Sequence, residues 1–159
     1  MGPMRFLKQM SFESNPIKQM LRIALTACAD HYQFYHNASL KSEVPEVKAL
    51  LSVLAETEGE LIDRIREMLV TGVVGALDEI SVLDEMPIPD ENPFDLERDN
   101  TDPRIFICNR ALRTELKSYT FFLSVAARAK SEVISRLFEY FTFIKVTQIE
   151  RIRRACETF

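Results

Sequence analysis

Val47, Leu51, Leu54, Glu58, Leu61, Ile65 and Met68 follow one another in alternating steps of four and three, the spacing that lines up one face of a helix. The row is apolar except at Glu58. Three other stretches carry the same period. Leu21, Leu25, Cys28, Tyr32 and Tyr35 mark helix one, expected from Pro16 to about Ala38 and ended by the turn residues Asn37 and Ser39. Cys108, Leu112, Glu115, Tyr119, Phe122, Ala126 and Ala129 mark helix three, from Pro103 to about Ala129. Ile134, Phe138, Phe141, Lys145, Gln148, Ile152 and Ala155 mark helix four, which begins after Ser131 and runs almost to the end. The punctuation agrees with these spans. Asn15-Pro16, Pro45 and Asp102-Pro103 are start signals, where a proline's missing amide does no harm, and Gly72 is a stop.

Before the first start signal, residues 1–14 read as an arm packed by Phe6, Leu7, Met10 and Phe12. Residues 73–102 lose the period and read as a crossover containing Pro87, Pro89 and Pro93, with a short helix around Leu77–Leu83. From Asp78 to Asp102 it carries ten acidic residues against Arg98 alone. So long an irregular connection fits a compact domain if it must run the length of a bundle. Short links between helices one and two and between three and four make antiparallel hairpins. The expected fold is all-α: an antiparallel four-helix bundle with one long crossover, in a single domain over 1–159.

Composition narrows the class. With 159 residues, 47% hydrophobic, 28% charged and only four glycines, the chain is long enough for a sizeable helical core. A net charge of −4 gives no general case for nucleic acid as a partner. The opening residues lack the continuous apolar core of a secretory signal, and no apolar run is long enough for a membrane span. Cys28, Cys108 and Cys156 are odd in number and lack paired spacing, which points to reduced thiols in a cytoplasmic protein. The acidic crossover lacks EF-hand spacing, and there is no phosphate loop, nucleophile elbow or zinc-finger spacing.

Every stripe is interrupted near its middle: Cys28 with Tyr32 and Tyr35, Glu58, Glu115 with Tyr119, then Lys145 with Gln148. Mid-helix positions of four bundled helices fall in one layer, where bundles of this topology build metal sites. The segment from Cys28 to Tyr35 resembles the first-helix motif of the rubrerythrin-like branch of the ferritin-like superfamily, in which a ligand Glu precedes a Tyr by seven residues. Leu54-Ala-Glu-Thr-Glu58-Gly-Glu-Leu61 resembles its second-helix Leu-Ala-x-x-Glu-x-x-His motif. Residues 111–122 repeat the first motif and 137–148 the second, so the resemblance spans roughly 16–39, 45–70 and 103–155.

The resemblance implies di-iron ligands at Cys28, Glu58, Leu61, Glu115, Lys145 and Gln148, of which only Glu58 and Glu115 are carboxylates here. Lysine repels a divalent metal and satisfies carboxylates, so Lys145 is expected to supply the charge that iron supplies in the family. One ammonium against two carboxylates leaves a net −1, which calls for a shared proton or a buried water. Two functions follow from the resemblance. One is a non-catalytic interaction or scaffold module with no cofactor and no catalytic residue, acting as a homodimer. The other is a rubrerythrin-like oxidoreductase handling peroxide or iron, which holds iron or another divalent metal on Glu58, Glu115 and Cys28, with Asp30 or Gln148 nearby.

The remaining chemistry-bearing residues have plainer readings. Tyr32, Tyr35 and Tyr119 are expected as core aromatics whose hydroxyls serve the polar layer, with electron transfer as the sharper alternative. His31 and His36 lie off the seam and read as surface residues. Arg151, Arg153 and Arg154 suit the dipole of a last helical turn. Phe121, Phe122, Phe138, Phe141 and Phe143 read as core, with Phe121 and Phe143 left over for a dimer face and an apolar ligand pocket as the alternative.

Overall fold

A computed structural model describes residues 2–79 and 86–159, with side chains from residue 16 onward except 74, 78 and 79. The described residues are all helical or irregular, in the order α1 (Gly2–Lys41), α2 (Pro45–Thr71), α3 (Val74–Glu79), α4 (Pro103–Arg128) and α5 (Glu132–Cys156). Two hairpins dominate: α1 packs along α2, and α4 along α5. No helix among the described residues is long and apolar enough to cross a membrane.

Four boundaries follow from their caps. Pro45 opens α2 at a position where no amide is needed, and Gly72 closes it at φ 88°, its amide donating to the Met68 carbonyl at 2.9 Å. The Asp102 side chain accepts from the Arg104 amide at the start of α4, and Ser131 does the same for Ile134 at the start of α5.

The start of α1 differs from expectation. The helix begins at Gly2, so residues 2–14 are helical and Pro16 lies inside the helix rather than at its start. Residues 4–15 contain neither glycine nor proline and include Met, Leu, Lys and Gln, so helical propensity extends upstream of the proline. Packing by Phe6, Leu7, Met10 and Phe12 lies outside the described side chains. At the other end, Asn37 and Ser39 stay helical and α1 continues to Lys41. Between α2 and α4, the short helix sits at Val74–Glu79, upstream of the expected Leu77–Leu83, and residues 80–85 lie outside the described ones.

The whole α2 row from Val47 to Met68 is buried, Glu58 included. The core divides into two apolar clusters. One joins Tyr35, Val47–Leu54, Phe94, Ile105–Leu112 and Val146–Cys156; the other joins Leu21–Cys28, Leu61–Met68, Phe122–Ala126 and Leu137–Phe141. Along α2 and α5 the switch from one cluster to the other falls at Glu58 and Lys145; along α4 it falls between Tyr119 and Phe122. In the second cluster Phe122, Phe138 and Phe141 interlock at tilted and edge-on angles with centroids 5.2–5.7 Å apart. These rings fill their own space, so they form core and not the wall of an apolar ligand pocket.

The thiols also depart from expectation. Cys108 and Cys156 form a disulfide, and only Cys28 among the described cysteines is free. The two are 48 residues apart, with no local motif to pair them. Only the antiparallel run of α4 and α5 sets the beginning of one helix beside the end of the other.

Candidate functional site: a buried lysine between two carboxylates

Four helices contribute to one polar layer. Lys145 and Glu115 are 0% exposed and Glu58 1%, so each charge must be met from within the protein. Lys145 Nζ donates to Glu58 Oε1 and pairs with Glu115 Oε2 at 3.1 Å. Tyr35 donates its hydroxyl to Glu115 Oε1 at 2.6 Å, across from α1. Gln148, one helical turn beyond Lys145, donates to the Leu54 carbonyl at 3.4 Å. Glu58 Oε2 and Gln148 Oε1 are buried without a hydrogen-bond partner among the described residues.

The electrostatics follow from burial and from the charge ratio. Burial works against the Lys145 ammonium, but the Glu115 and Glu58 carboxylates outweigh it, and the pKa rises above its usual 10.5. Burial pushes Glu58 up from 4.5 to about 7, Lys145 opposing and Glu115 adding to the rise. A proton held on Glu58 near neutral pH turns a net −1 layer into a neutral one. Burial, then Glu58, pushes the Cys28 thiol up to about 12, so it stays a thiol and not a thiolate. Burial and Glu115 likewise keep the Tyr35 phenol protonated.

The remaining residues singled out in the sequence divide into members of the layer and bystanders. Cys28 is fully buried beside Glu58. Tyr32 is half-buried, its ring edge packed toward Gly59 and stacked on His36 at 5.6 Å. Tyr119 is 9% exposed in the apolar core, and neither Tyr119 nor Tyr32 hydrogen-bonds the layer among the described residues. Both differ from expectation here, since Tyr35 alone delivers a hydroxyl. Asp30 is exposed and outside the layer. Arg151 donates to Thr57 Oγ1 at 2.8 Å, tying α5 to α2, and Arg153 donates to the Asp90 carbonyl in the connection before α4, so these arginines do more than meet a helix dipole.

His31 corrects the sequence reading. It is half-buried, its Nδ1 lies 3.4 Å from Ser118 Oγ, and one of its ring nitrogens falls within 4.8 Å of Glu58 and Glu115 oxygens. Burial, then Lys145, lowers its pKa from 6.5. The signal was present in the spacing: His31 follows Cys28 by three and precedes Tyr35 by four, which places it beside the seam. His36 is exposed, as expected.

These residues do not fit a six-ligand di-metal centre. Leu61 offers no donor atom, Cys28 holds its proton, and the Lys145 ammonium lies against the two carboxylates that would bind first. None of Glu58, Glu115 and Lys145 lines the groove of about 620 Å³ between α2 and α5, whose walls include Thr57, Leu61, Arg64, Tyr140, Phe143 and Arg151. Compared with known proteins, the chain matches no family model, no curated protein and no solved structure.

Proposed function

We propose that the chain is a ferritin-like four-helix bundle, with residues 73–102 as its long crossover, in which Lys145 has taken over the structural part of a di-metal centre. The protein then works as a non-catalytic interaction or scaffold module. One observation carries this reading: a fully buried ammonium is paired with both remaining carboxylates of the resembled ligand set. Cations hold carboxylates together whether they are metals or ammonium groups, but only the metal cycles electrons. The homodimer belongs to the same proposal, with Phe121, 42% exposed on α4, as its contact. A monomer in sedimentation at micromolar concentration removes that part. Incubated with ferrous iron or with peroxide, the protein is expected to consume neither above the buffer rate. Turnover that disappears in Glu58→Gln would replace this reading.

A second reading has its own observation. His31, Glu58 and Glu115 lie close enough for one divalent ion, with His31 in the place expected of Cys28. Such an ion must displace Lys145 from both carboxylates. The protein is then a metal-binding oxidoreductase with a single-ion site.

A further inference from the structure

The Cys108–Cys156 disulfide lies next to two side chains that fasten the crossover, Asn109 and Arg153, while Arg98 of the crossover donates to the Phe159 carbonyl at 2.8 Å. Asn109, one residue after Cys108 and 1% exposed, accepts from the Phe94 amide at 2.7 Å. Its Nδ2 donates to the Phe94 carbonyl at 3.2 Å and to Asp99 Oδ1 at 2.7 Å. Arg153, three residues before Cys156, donates to the carbonyls of Asp90, at 2.6 Å, and Asn92. Its guanidinium lies 4.7 Å over the Phe94 ring. Phe94 itself is 8% exposed and joins the apolar core. One clamp comes from the start of α4 and the other from the end of α5, and they converge on the same residue.

We infer that the disulfide is a redox latch on residues 86–102, holding the two clamps in register while it is oxidised and releasing this segment when it is reduced. Cys156 is the last residue of α5, and Arg153 belongs to the same final turn, its carbonyl accepting from Glu157. Final turns open at low cost. With the bond intact, this turn cannot leave α4 and Arg153 stays opposite Asn109. With the bond broken, the turn frays on its own and takes one clamp with it. Both sulfurs are buried, so a reductant reaches them only when the turn opens, which links reduction to release. The reductant is a dithiol: it delivers two electrons and two protons, the Cys108–Cys156 bond becomes two thiols, and the dithiol leaves as its own disulfide.

Amide hydrogen exchange on the full chain, with and without dithiothreitol, tests the latch. In the oxidised protein the Phe94 amide is expected to be protected. On reduction its exchange should quicken at least tenfold more than that of the amides around Glu58 and Lys145. The double variant Cys108→Ser/Cys156→Ser should match the reduced protein and ignore the reductant. Unchanged Phe94 exchange on reduction overturns the inference, as does free Cys108 and Cys156 in unreduced protein by mass spectrometry. Equal loss of protection throughout the chain also overturns it, because the segment would then have no latch of its own.

Discussion

Removing the Lys145 ammonium leaves the Glu58 and Glu115 carboxylates together in a layer with no other cation in contact among the described residues. Breaking a buried pair from one side costs about 3–5 kcal/mol, since the stranded charges lose their only compensation. Lys145→Ala should therefore lower urea-denaturation stability by that order. The triple variant Glu58→Leu/Glu115→Leu/Lys145→Met should lose much less, because no charge remains to strand. Tyr35→Phe removes one donor from Glu115 Oε1 and should cost about 1–3 kcal/mol in the same measurement.

Glu58 also gives the layer a pH dependence of known sign. Its folded pKa is raised, so its stabilising contribution is fully present below about 4.5 and is lost as pH rises through about 7. The size is on the order of 3 kcal/mol. His31 acts in the opposite sense: its folded pKa is lowered, so its contribution is present above 6.5 and lost as pH falls. The other titratable groups facing Glu58 are Lys145, Glu115, Cys28 and Tyr35, and none of Cys28, Tyr35 and Lys145 changes charge in this window. Urea melts of wild type and Glu58→Gln between pH 4.5 and 7.5 separate the two. The wild-type curve should fall with pH relative to the variant, and a constant difference would remove the raised pKa.

Among the elements, those bounded by local chemistry were readable from the chain. Pro45 and Gly72 frame α2, Asp102 starts α4 and Ser131 starts α5, because each cap acts within its own few residues. Gly72 holds φ 88° and ψ 170°, a conformation open essentially to glycine alone. A Cβ there meets nothing within 4 Å, so the cost of Gly72→Ala is backbone strain, about 1–3 kcal/mol by thermal or urea melt. Pro16 shows the limit of this kind of reading. The same residue type that opens α2 from Pro45 sits inside α1, because the residues before it can also hold a helix.

Across the whole molecule, the layer could be foreseen where its members share the seam. Glu58, Glu115, Lys145 and Gln148 interrupt their stripes at mid-helix, and the structure brings them together. His31 escaped because it sits one step to the side of its stripe, where the packing of α2 and α4 against α1 makes it internal. The disulfide escaped because its partners meet only after α4 and α5 have paired. Closing a loop of 48 residues, it should stabilise the fold by about 2–4 kcal/mol, read as the difference between oxidised and reduced urea melts.

Elemental analysis is the most direct measurement: protein purified without chelator, then loaded anaerobically with iron, manganese and zinc. If Lys145 stands in for the metal, the wild type retains no stoichiometric metal, while Lys145→Ala, with its carboxylates set free, gains some. Near-stoichiometric metal in the wild type that disappears in Glu58→Ala and Glu115→Ala would contradict this, and would make Lys145 a neighbour of a working metal centre.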